Sequence, residues 1–247
     1  MKIERILKGA GIRSSYGTMG AAASTLIEED NGNKILVDTG HFGNRDNLIT
    51  NLKKLNISTS DIDIVILTHL NWDHCLNVDL FDSAEIILGE EEFKKGTLSG
   101  IKDGISDKFK EVLRKMDLML INEDYELSNN IQIITTPGHT PGHISVLALD
   151  GVKKIIITGD ALPNLRAYER GIPDFIFYDL DQAKKSIIKI KNLNPDIIIP
   201  GHDSPFNMNG YLETDDIDII LRNGKYEENI IVTLKKVVAD RPVIFNE

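Results

Sequence analysis

THLNWDH, residues 68–74, places two histidines and an aspartate close together in the chain. It follows the apolar run at residues 62–67, which is typical of a buried strand. His69, Asp73 and His74 would therefore lie on the turn where that strand ends. A divalent metal ion needs nitrogen and oxygen donors that converge from several directions, and such a turn can aim alternate residues into one pocket. The stretch predicts a metal site at the end of a strand.

Length, composition and charge limit the class of protein. The chain has 247 residues, of which 41% are hydrophobic and 27% charged, as in an ordinary globular enzyme. No linker or low-complexity tract interrupts it, so residues 1–247 are predicted to form a single domain. The formal net charge of −10 disfavours a surface for nucleic acid or for an anionic membrane.

The sequence carries no segment that suggests export or membrane insertion. Its first residues lack an apolar core of signal-peptide length. No apolar run approaches the roughly 18 residues that span a bilayer. Cys75 is the single cysteine, which excludes an intramolecular disulfide and favours a reducing compartment. A cytoplasmic protein is therefore expected.

Short apolar runs alternate with amphipathic segments, which indicates an α/β fold. The expected strands are residues 24–28, 34–38, 62–67, 84–88, 131–135, 145–149, 154–158 and 196–199. Helices are expected after Asn44 or Asp46, after Ser106, and after Asp179 or Asp181, because these side chains can cap a helix N-terminus.

Each candidate metal ligand follows the end of one of the expected strands. Beyond residues 68–74, the strand ends carry PGHTPGH at 137–143, Gly159-Asp160, and PGHD at 200–203. Strand ends on one edge of a sheet lie close together, so donors far apart in sequence can share a site. Four of the six histidines, His69, His74, His139 and His202, are candidate donors at these strand ends, which argues against ordinary polar turns. The candidate donors are His69, Asp73, His74, His139, Asp160 and His202.

The strand followed by His-X-(His)-X-Asp-His, and the order of the later donors, resemble the metallo-β-lactamase superfamily. The likeness is greatest to its glyoxalase-like and lactonase-like members and covers residues 24–202. It implies a four-layer αββα sandwich, whereas periodicity by itself indicates only an α/β fold. One position departs from the family pattern, because Asn71 stands where a second histidine is usual.

The resemblance also implies a ligand set and an activity. One metal position would be held by His69, His139 and a bridging Asp160, and the other by Asp73, His74, His202 and the same Asp160. The expected cofactor is zinc, as one or two ions, with iron or manganese as alternatives. A water between two such ions loses a proton near neutral pH, and the hydroxide attacks a small ester, thioester or lactone. Asp73 is the expected catalytic proton carrier.

Asn71 leaves the number of bound ions open. An amide oxygen binds zinc much more weakly than an imidazole does. One hypothesis is that the protein holds fewer than two equivalents of metal, with the position of Asp73, His74 and His202 filled first. The alternative is that Asn71 reaches the metal through a water molecule and that both positions fill normally.

Two other functions rank below hydrolysis. His69, His139 and Asp160 form the two-histidine, one-carboxylate set of non-haem iron oxygenases. The arrangement resembles that of the persulfide dioxygenases, a branch of the same superfamily that uses this position for a single iron. Those enzymes keep the histidine that is Asn71 here. A metal-poor, non-catalytic binding protein is the other alternative, and retention of six ligand-type residues argues against it. The expected partner is a small molecule, and a homodimer is left open.

Further residues have expected roles beside this site. The segment 161–179 follows Asp160, and Tyr168 or Tyr178 there could polarise a substrate carbonyl as in lactonase-like relatives, although packing in a surface loop is the commoner role. By resemblance, Asp38 would hydrogen-bond the neighbouring metal loop, and His143 would support the ligands without joining them.

Four smaller expectations concern packing. Residues 89–104 are polar and contain several glycines, so they are expected to form a surface excursion near the site. Trp72 is expected to pack beneath its own loop. His41 could line the pocket, but an exposed position in a loop is the commoner outcome and is expected here. Residues 227–238 are expected to add a strand or a helix to the sandwich.

Overall fold

Two β-sheets that pack face to face form the centre of the molecule in the computed structural model. The structure describes residues 1–247 except 15–16, 19, 97–104, 215–216, 223–228, 235–242 and 245–247. The α-helices of the described residues are α1 (Arg45–Lys54), α2 (Trp72–Cys75), α3 (Glu90–Lys95), α4 (Lys110–Leu113), α5 (Leu165–Arg170) and α6 (Leu180–Asn192). Short 3₁₀ turns cover Phe42–Asn44, Thr59–Asp61, Val78–Leu80 and Asp107–Phe109.

The first sheet has six strands. Their order across the sheet is Lys2–Leu7, Ser24–Glu28, Lys34–Val37, Ile64–Ile66, Glu85–Gly89 and Asp117–Ile121. The first two pairings are antiparallel and the last three are parallel, with Val37 opposite Ile66 and Ile66 opposite Ile87. Because parallel strands end at the same edge, the residues after Val37, Ile66 and Gly89 meet there.

The second sheet has seven strands, and candidate ligands follow the ends of several of them. Their order is Gly210–Tyr211, Phe206–Asn207, Ile197–Pro200, Lys153–Gly159, Ile144–Asp150, Ile131–Thr135 and Tyr125–Ser128. Lys153–Gly159 and Ile197–Pro200 are parallel, with Gly159 opposite Pro200, so Asp160 and His202 follow neighbouring strand ends. Smaller pairs join Arg13–Ser14 to Gly17–Thr18, Phe175–Ile176 to Val243–Ile244, and Ile217–Arg222 to Asn229–Leu234.

Alternation along the strands separates the apolar core into layers. Leu36 lies in the cluster beneath α1 with Leu48 and Leu52. Its neighbours Ile35 and Val37 point the other way, into the cluster between the two sheets. This is the period-two pattern of a strand that is buried on both faces.

The second sheet is covered in the same way on its outer face. Ile156 packs with Ile187 and Ile190 of α6, whereas Ile155 and Ile157 face the first sheet. The layers are therefore helix, sheet, sheet and helix. The predicted α/β class and four-layer αββα sandwich are confirmed.

The helix caps follow the predicted residue types with some differences. Asp179, and not Asp181, caps α6, since its side chain accepts a hydrogen bond from the Gln182 amide at 2.7 Å. Ser106 caps the 3₁₀ turn that precedes α4. Asn44 is the residue before α1, but its side chain makes no capping bond to that helix and accepts instead from the His41 amide.

The predicted surface excursion is wrong for its first part. Gly89 ends a strand of the first sheet, and α3 follows at once with the Glu92 side chain fully buried. Burial is tolerated because the Glu92 carboxylate accepts hydrogen bonds from two backbone N–H groups. Residues 97–104 of that prediction lie outside the described residues.

Residues 229–234 of the C-terminal segment form a strand, while 227–228 and 235–238 lie outside the described residues. In the described part of the chain, every helix is too short or too polar to cross a lipid bilayer.

Candidate metal centre

The predicted donors meet at the edge where strands of both sheets end. They form two groups, and in each group the potential ligand atoms lie within 4.8 Å of one another. The first group is His69, His139 and Asp160, and the second group is Asp73, His74 and His202. All but His202, which is partly exposed, are buried, so these are not chance neighbours on a solvated surface.

Asp160 lies between the two groups. Its Oδ1 is 3.5 Å from His74 Nε2, and its Oδ2 is 3.5 Å from His139 Nε2 and 3.3 Å from His202 Nε2. Asp73 Oδ2 closes the second group at 3.4 Å from His202 Nε2. One carboxylate thus faces imidazoles of both groups.

Local backbone geometry brings Asp160 to this position. The preceding Gly159 has φ +48°, a left-handed conformation that favours glycine. A Cβ at Gly159 would lie 2.8 Å from Thr68 Oγ1 and 2.9 Å from His143 Nε2. The strand end therefore approaches the metal loop more closely than any other residue would allow.

Two histidines are oriented by backbone carbonyls. His139 Nδ1 lies 2.8 Å from the Phe175 carbonyl oxygen, and His202 Nδ1 lies 3.2 Å from that of Ala21. A carbonyl can only accept, so each Nδ1 carries the hydrogen. When neutral, each ring then presents the Nε2 lone pair to the centre, as a metal ligand must.

Asp38 holds the loop that carries the other two histidines. Its carboxylate accepts hydrogen bonds from the Thr68 amide at 2.7 Å, from Thr68 Oγ1 at 2.8 Å and from His74 Nδ1 at 2.7 Å. Thr68 Oγ1 in turn lies 3.0 Å from His69 Nδ1. Asp38 has φ +60°, a strained conformation for a residue other than glycine. These contacts are the ones predicted for Asp38.

His143 supports the Asp160 turn. Its Nε2 accepts hydrogen bonds from the amides of Asp160 at 3.1 Å and Ala161 at 3.2 Å. Its Nδ1 faces Thr136 Oγ1 at 2.9 Å. Burial lowers the pKa of His143 well below its ordinary value, which keeps Nε2 available as an acceptor. The side chain therefore positions a donor, as the sequence predicted, and does not itself face the centre.

Several buried polar atoms at the centre make no hydrogen bond within the described part of the protein. They are His69 Nε2, His74 Nε2, Asn71 Oδ1 and Asp160 Oδ1. A buried polar atom without a partner is costly, and such atoms usually indicate a bound water or ion. Convergent imidazole nitrogens and carboxylate oxygens are suitable donors for a divalent cation. The residues present therefore fit a metal.

The carboxylates around the imidazoles also favour a bound cation. Burial opposes protonation of His202, but the facing carboxylates of Asp160 and Asp73 raise its pKa to about 9. Burial also opposes protonation of His74, and Asp38 and Asp160 outweigh it, so that the pKa of His74 is raised well above its ordinary value. The carboxylates thus create a strongly negative potential that attracts positive charge to this point.

Asn71 lies inside the centre, at the position where the family pattern has a histidine. Its side chain is 3% exposed, and its Nδ2 is 3.2 Å from His139 Nε2. The amide therefore contacts the first donor group through His139.

Glu92 is the site residue that the sequence did not reveal. Its Oε1 accepts from the Leu70 amide at 3.0 Å and its Oε2 from the Gly142 amide at 3.0 Å. Leu70 follows His69, and Gly142 belongs to the turn that carries His139, so one carboxylate ties the two ligand-bearing turns together. In sequence, three successive glutamates in a polar stretch indicate a solvated helix face, and nothing marks the third as buried.

The remaining predicted neighbours have mixed positions. Tyr168 packs its ring against Phe206 in the core beneath α6, whereas Tyr178 is 44% exposed. The ring of His41 meets that of Trp72 edge-on at 4.8 Å, and Trp72 packs partly buried against the core cluster beneath α1.

The sequence and the fold match those of a known protein family. The family model described as metallo-beta-lactamase superfamily matches residues 17–202. The chain belongs to the metallo-β-lactamase superfamily. Within it, this metallo-β-lactamase superfamily enzyme is 34% identical over 169 residues to a probable metallo-hydrolase of Methanocaldococcus jannaschii, across 68% of this chain and 70% of that protein.

Lactonases are also among its relatives. An N-acyl homoserine lactonase of Bacillus cereus is 29% identical over 164 residues, which cover 64% of this chain and 62% of that enzyme. Two solved structures share the fold at 23% identity. A putative metallo-β-lactamase of Thermotoga maritima has a TM-score of 0.68, over 83% of this chain and 98% of that one. A Bacillus thuringiensis enzyme with bound N-decanoyl-L-homoserine has a TM-score of 0.66, over 82% of this chain and 94% of that one.

Proposed function

We propose that this enzyme hydrolyses a small acyl substrate, an ester, thioester or lactone, with the help of one or two zinc ions. The observation that carries the proposal is the arrangement of two three-donor groups around the shared carboxylate of Asp160. The ligands would be His69, His139 and Asp160 at one position, and Asp73, His74, His202 and Asp160 at the other.

Bound cations would supply Lewis acidity and hydroxide at neutral pH. The protein's own contribution is rigid placement. His139 and His202 are fixed through their Nδ1 atoms by backbone carbonyls, and His74 through Asp38. Such preorganisation lowers the barrier because the donors need not move as charge develops on the carbonyl oxygen.

Asp73 is the proposed proton carrier. Its carboxylate is buried beside His202, at 3.4 Å from Nε2, on the short helix α2. In hydrolysis, the water oxygen forms a bond to the acyl carbon, and the bond from that carbon to the leaving oxygen or sulfur breaks. The proton released by the water passes through Asp73 to the leaving group. Charge and atoms balance without any further reactant.

Aromatic side chains beside the centre favour an acyl substrate with an apolar portion. The Phe177 ring lies 5.1 Å from that of His139, and the Trp72 ring, next in sequence to Asp73, meets the His41 ring edge-on. The known relatives add support, since several are N-acyl homoserine lactonases and one similar solved structure is that of a dizinc lactonase. A lactone with an acyl chain is therefore the first substrate to test.

The test is turnover by the zinc-loaded protein on a panel of N-acyl homoserine lactones, aryl esters and thioesters. We expect hydrolysis of at least one class and its loss in the Asp160→Ala variant. Hydrolysis no faster than that of Asp160→Ala on every class would overturn the proposal. One bound iron with oxygen uptake on a persulfide would favour the dioxygenase, and neither metal nor turnover would favour a binding protein.

A further inference from the structure

We propose that the two donor groups bind metal unequally because of Asn71. The second group, Asp73, His74 and His202 with the shared Asp160, fills first. The first group, His69, His139 and Asp160, binds its ion at least about tenfold more weakly, so that the protein holds one ion when metal is scarce. The inference rests on the ligand assignment of the proposed function and is independent of the substrate.

The position of the Asn71 amide is the first argument. Asn71 Nδ2 lies 3.2 Å from His139 Nε2, and Asn71 Oδ1 is buried without a hydrogen-bond partner. An amide nitrogen has no lone pair available for a metal, so only the neutral Oδ1 could serve as a ligand, after a half-turn of the amide. An imidazole at this position would offer a much stronger zinc donor.

Competition for His139 is the second argument. With the amide as placed, Asn71 donates to the same Nε2 lone pair that an ion in the first group needs. An entering ion must therefore displace this hydrogen bond. His74 Nε2 in the second group makes no hydrogen bond, as is also true of His69 Nε2 in the first group. His202 Nε2 faces the carboxylates of Asp73 and Asp160, which are themselves proposed ligands of the second group, so no residue outside the ligand set has to be displaced there.

Charge is the third argument. The second group holds the carboxylate of Asp73 and also faces the shared carboxylate of Asp160. The first group has Asp160 as its one carboxylate, beside two neutral imidazoles and the neutral amide. The second group therefore attracts a divalent cation more strongly than the first. Most of the donors are buried, and charges interact more strongly where water is excluded, so the difference between the groups is larger than it would be at the surface.

Asn71 is also held in place by its backbone, which makes substitution informative. Its carbonyl accepts from the His74 amide at 3.0 Å and from Cys75 Sγ at 3.3 Å, at the start of α2. A histidine at position 71 would leave the chain in the same direction as the present amide.

Metal binding to the metal-free 247-residue protein tests the inference directly. Equilibrium dialysis against buffered Zn²⁺, followed by elemental analysis, should show one tight equivalent and a second at least about tenfold weaker. Asn71→His should raise the affinity for the second equivalent until it is close to the affinity for the first. Asn71→Asp, which is isosteric and adds a charge, should shift it in the same direction. Asn209→His, at an exposed asparagine, is the matched control and should change neither equivalent.

The order of filling is tested with ligand variants. Asp73→Ala should remove the tight equivalent, whereas His139→Ala should keep it and abolish the weak one. Two equivalents of equal affinity in the unsubstituted protein would overturn the inference, as would an Asn71→His or Asn71→Asp protein that folds and binds metal as the unsubstituted protein does. Absence of any bound metal would instead refute the proposed function. Equal binding with intact hydrolysis would refute this inference alone.

Discussion

Removal of the Glu92 carboxylate should loosen the two turns that carry His69 and His139. The side chain is fully buried and accepts backbone hydrogen bonds from Leu70 and Gly142, both at 3.0 Å. Glu92→Ala leaves both amides buried without a partner. Each unsatisfied donor costs roughly 1–3 kcal/mol, so the gross loss is roughly 2–6 kcal/mol.

Part of this loss is recovered, because burial of the carboxylate is itself unfavourable. Burial is the largest influence on Glu92 and raises its pKa. We therefore expect a net loss of about 2–4 kcal/mol in the free energy of unfolding, out of a total of about 5–15 kcal/mol for a domain. Glu92→Gln keeps one acceptor but turns its NH₂ group toward a backbone N–H, so an intermediate loss is expected.

Urea unfolding of the metal-free protein measures the effect. Glu91 lies on the same helix, forms a surface ion pair with Lys95 and provides a matched control. Glu91→Ala should cost no more than about 0.5 kcal/mol. A loss for Glu92→Ala that does not exceed the loss for Glu91→Ala would refute the view that this carboxylate ties the turns together.

Three further outcomes follow from the site geometry. Asp38→Asn removes the charged acceptor from His74 Nδ1 and should weaken zinc binding about 10–100-fold in competition with a chromophoric chelator; unchanged affinity would contradict it. Asp160→Ala should abolish hydrolysis while the circular dichroism spectrum stays that of the parent, and unchanged turnover would remove the bridging role. Gly142→Ala would place a Cβ 1.9 Å from the Glu92 amide nitrogen and should destabilise the protein by roughly 1–3 kcal/mol in thermal or urea unfolding, whereas an unchanged midpoint would show that the helix can move aside.

The sheet edge could be predicted because its signals are local. Apolar runs of strand length stop at residues that can bind metal. A ligand at the end of such a strand reaches the site if the strand pairs into the sheet, because strand ends on one edge lie close together. The structure accordingly brings His69, His139 and His202 together. Alternation fixed which neighbours face inward, as Leu36 and Val37 illustrate.

Other features depend on contacts distant in sequence. Glu92 is buried because amides 22 and 50 residues away happen to face it, and no periodicity reports such a match. The choice between Asp179 and Asp181 as a cap likewise depended on backbone angles, since both side chains are suitable. Asn71 could be identified as a departure from the family pattern, but its contact with His139 could not.

Anomalous X-ray scattering at the zinc edge from crystals of the zinc-loaded protein tests the central claim most directly. We predict a peak within bonding distance of His74 Nε2, His202 Nε2 and a carboxylate oxygen of Asp73, and no stronger peak elsewhere in the molecule. Zinc bound only away from these side chains, or no bound zinc at all, would contradict the assignment of this cluster as a metal centre.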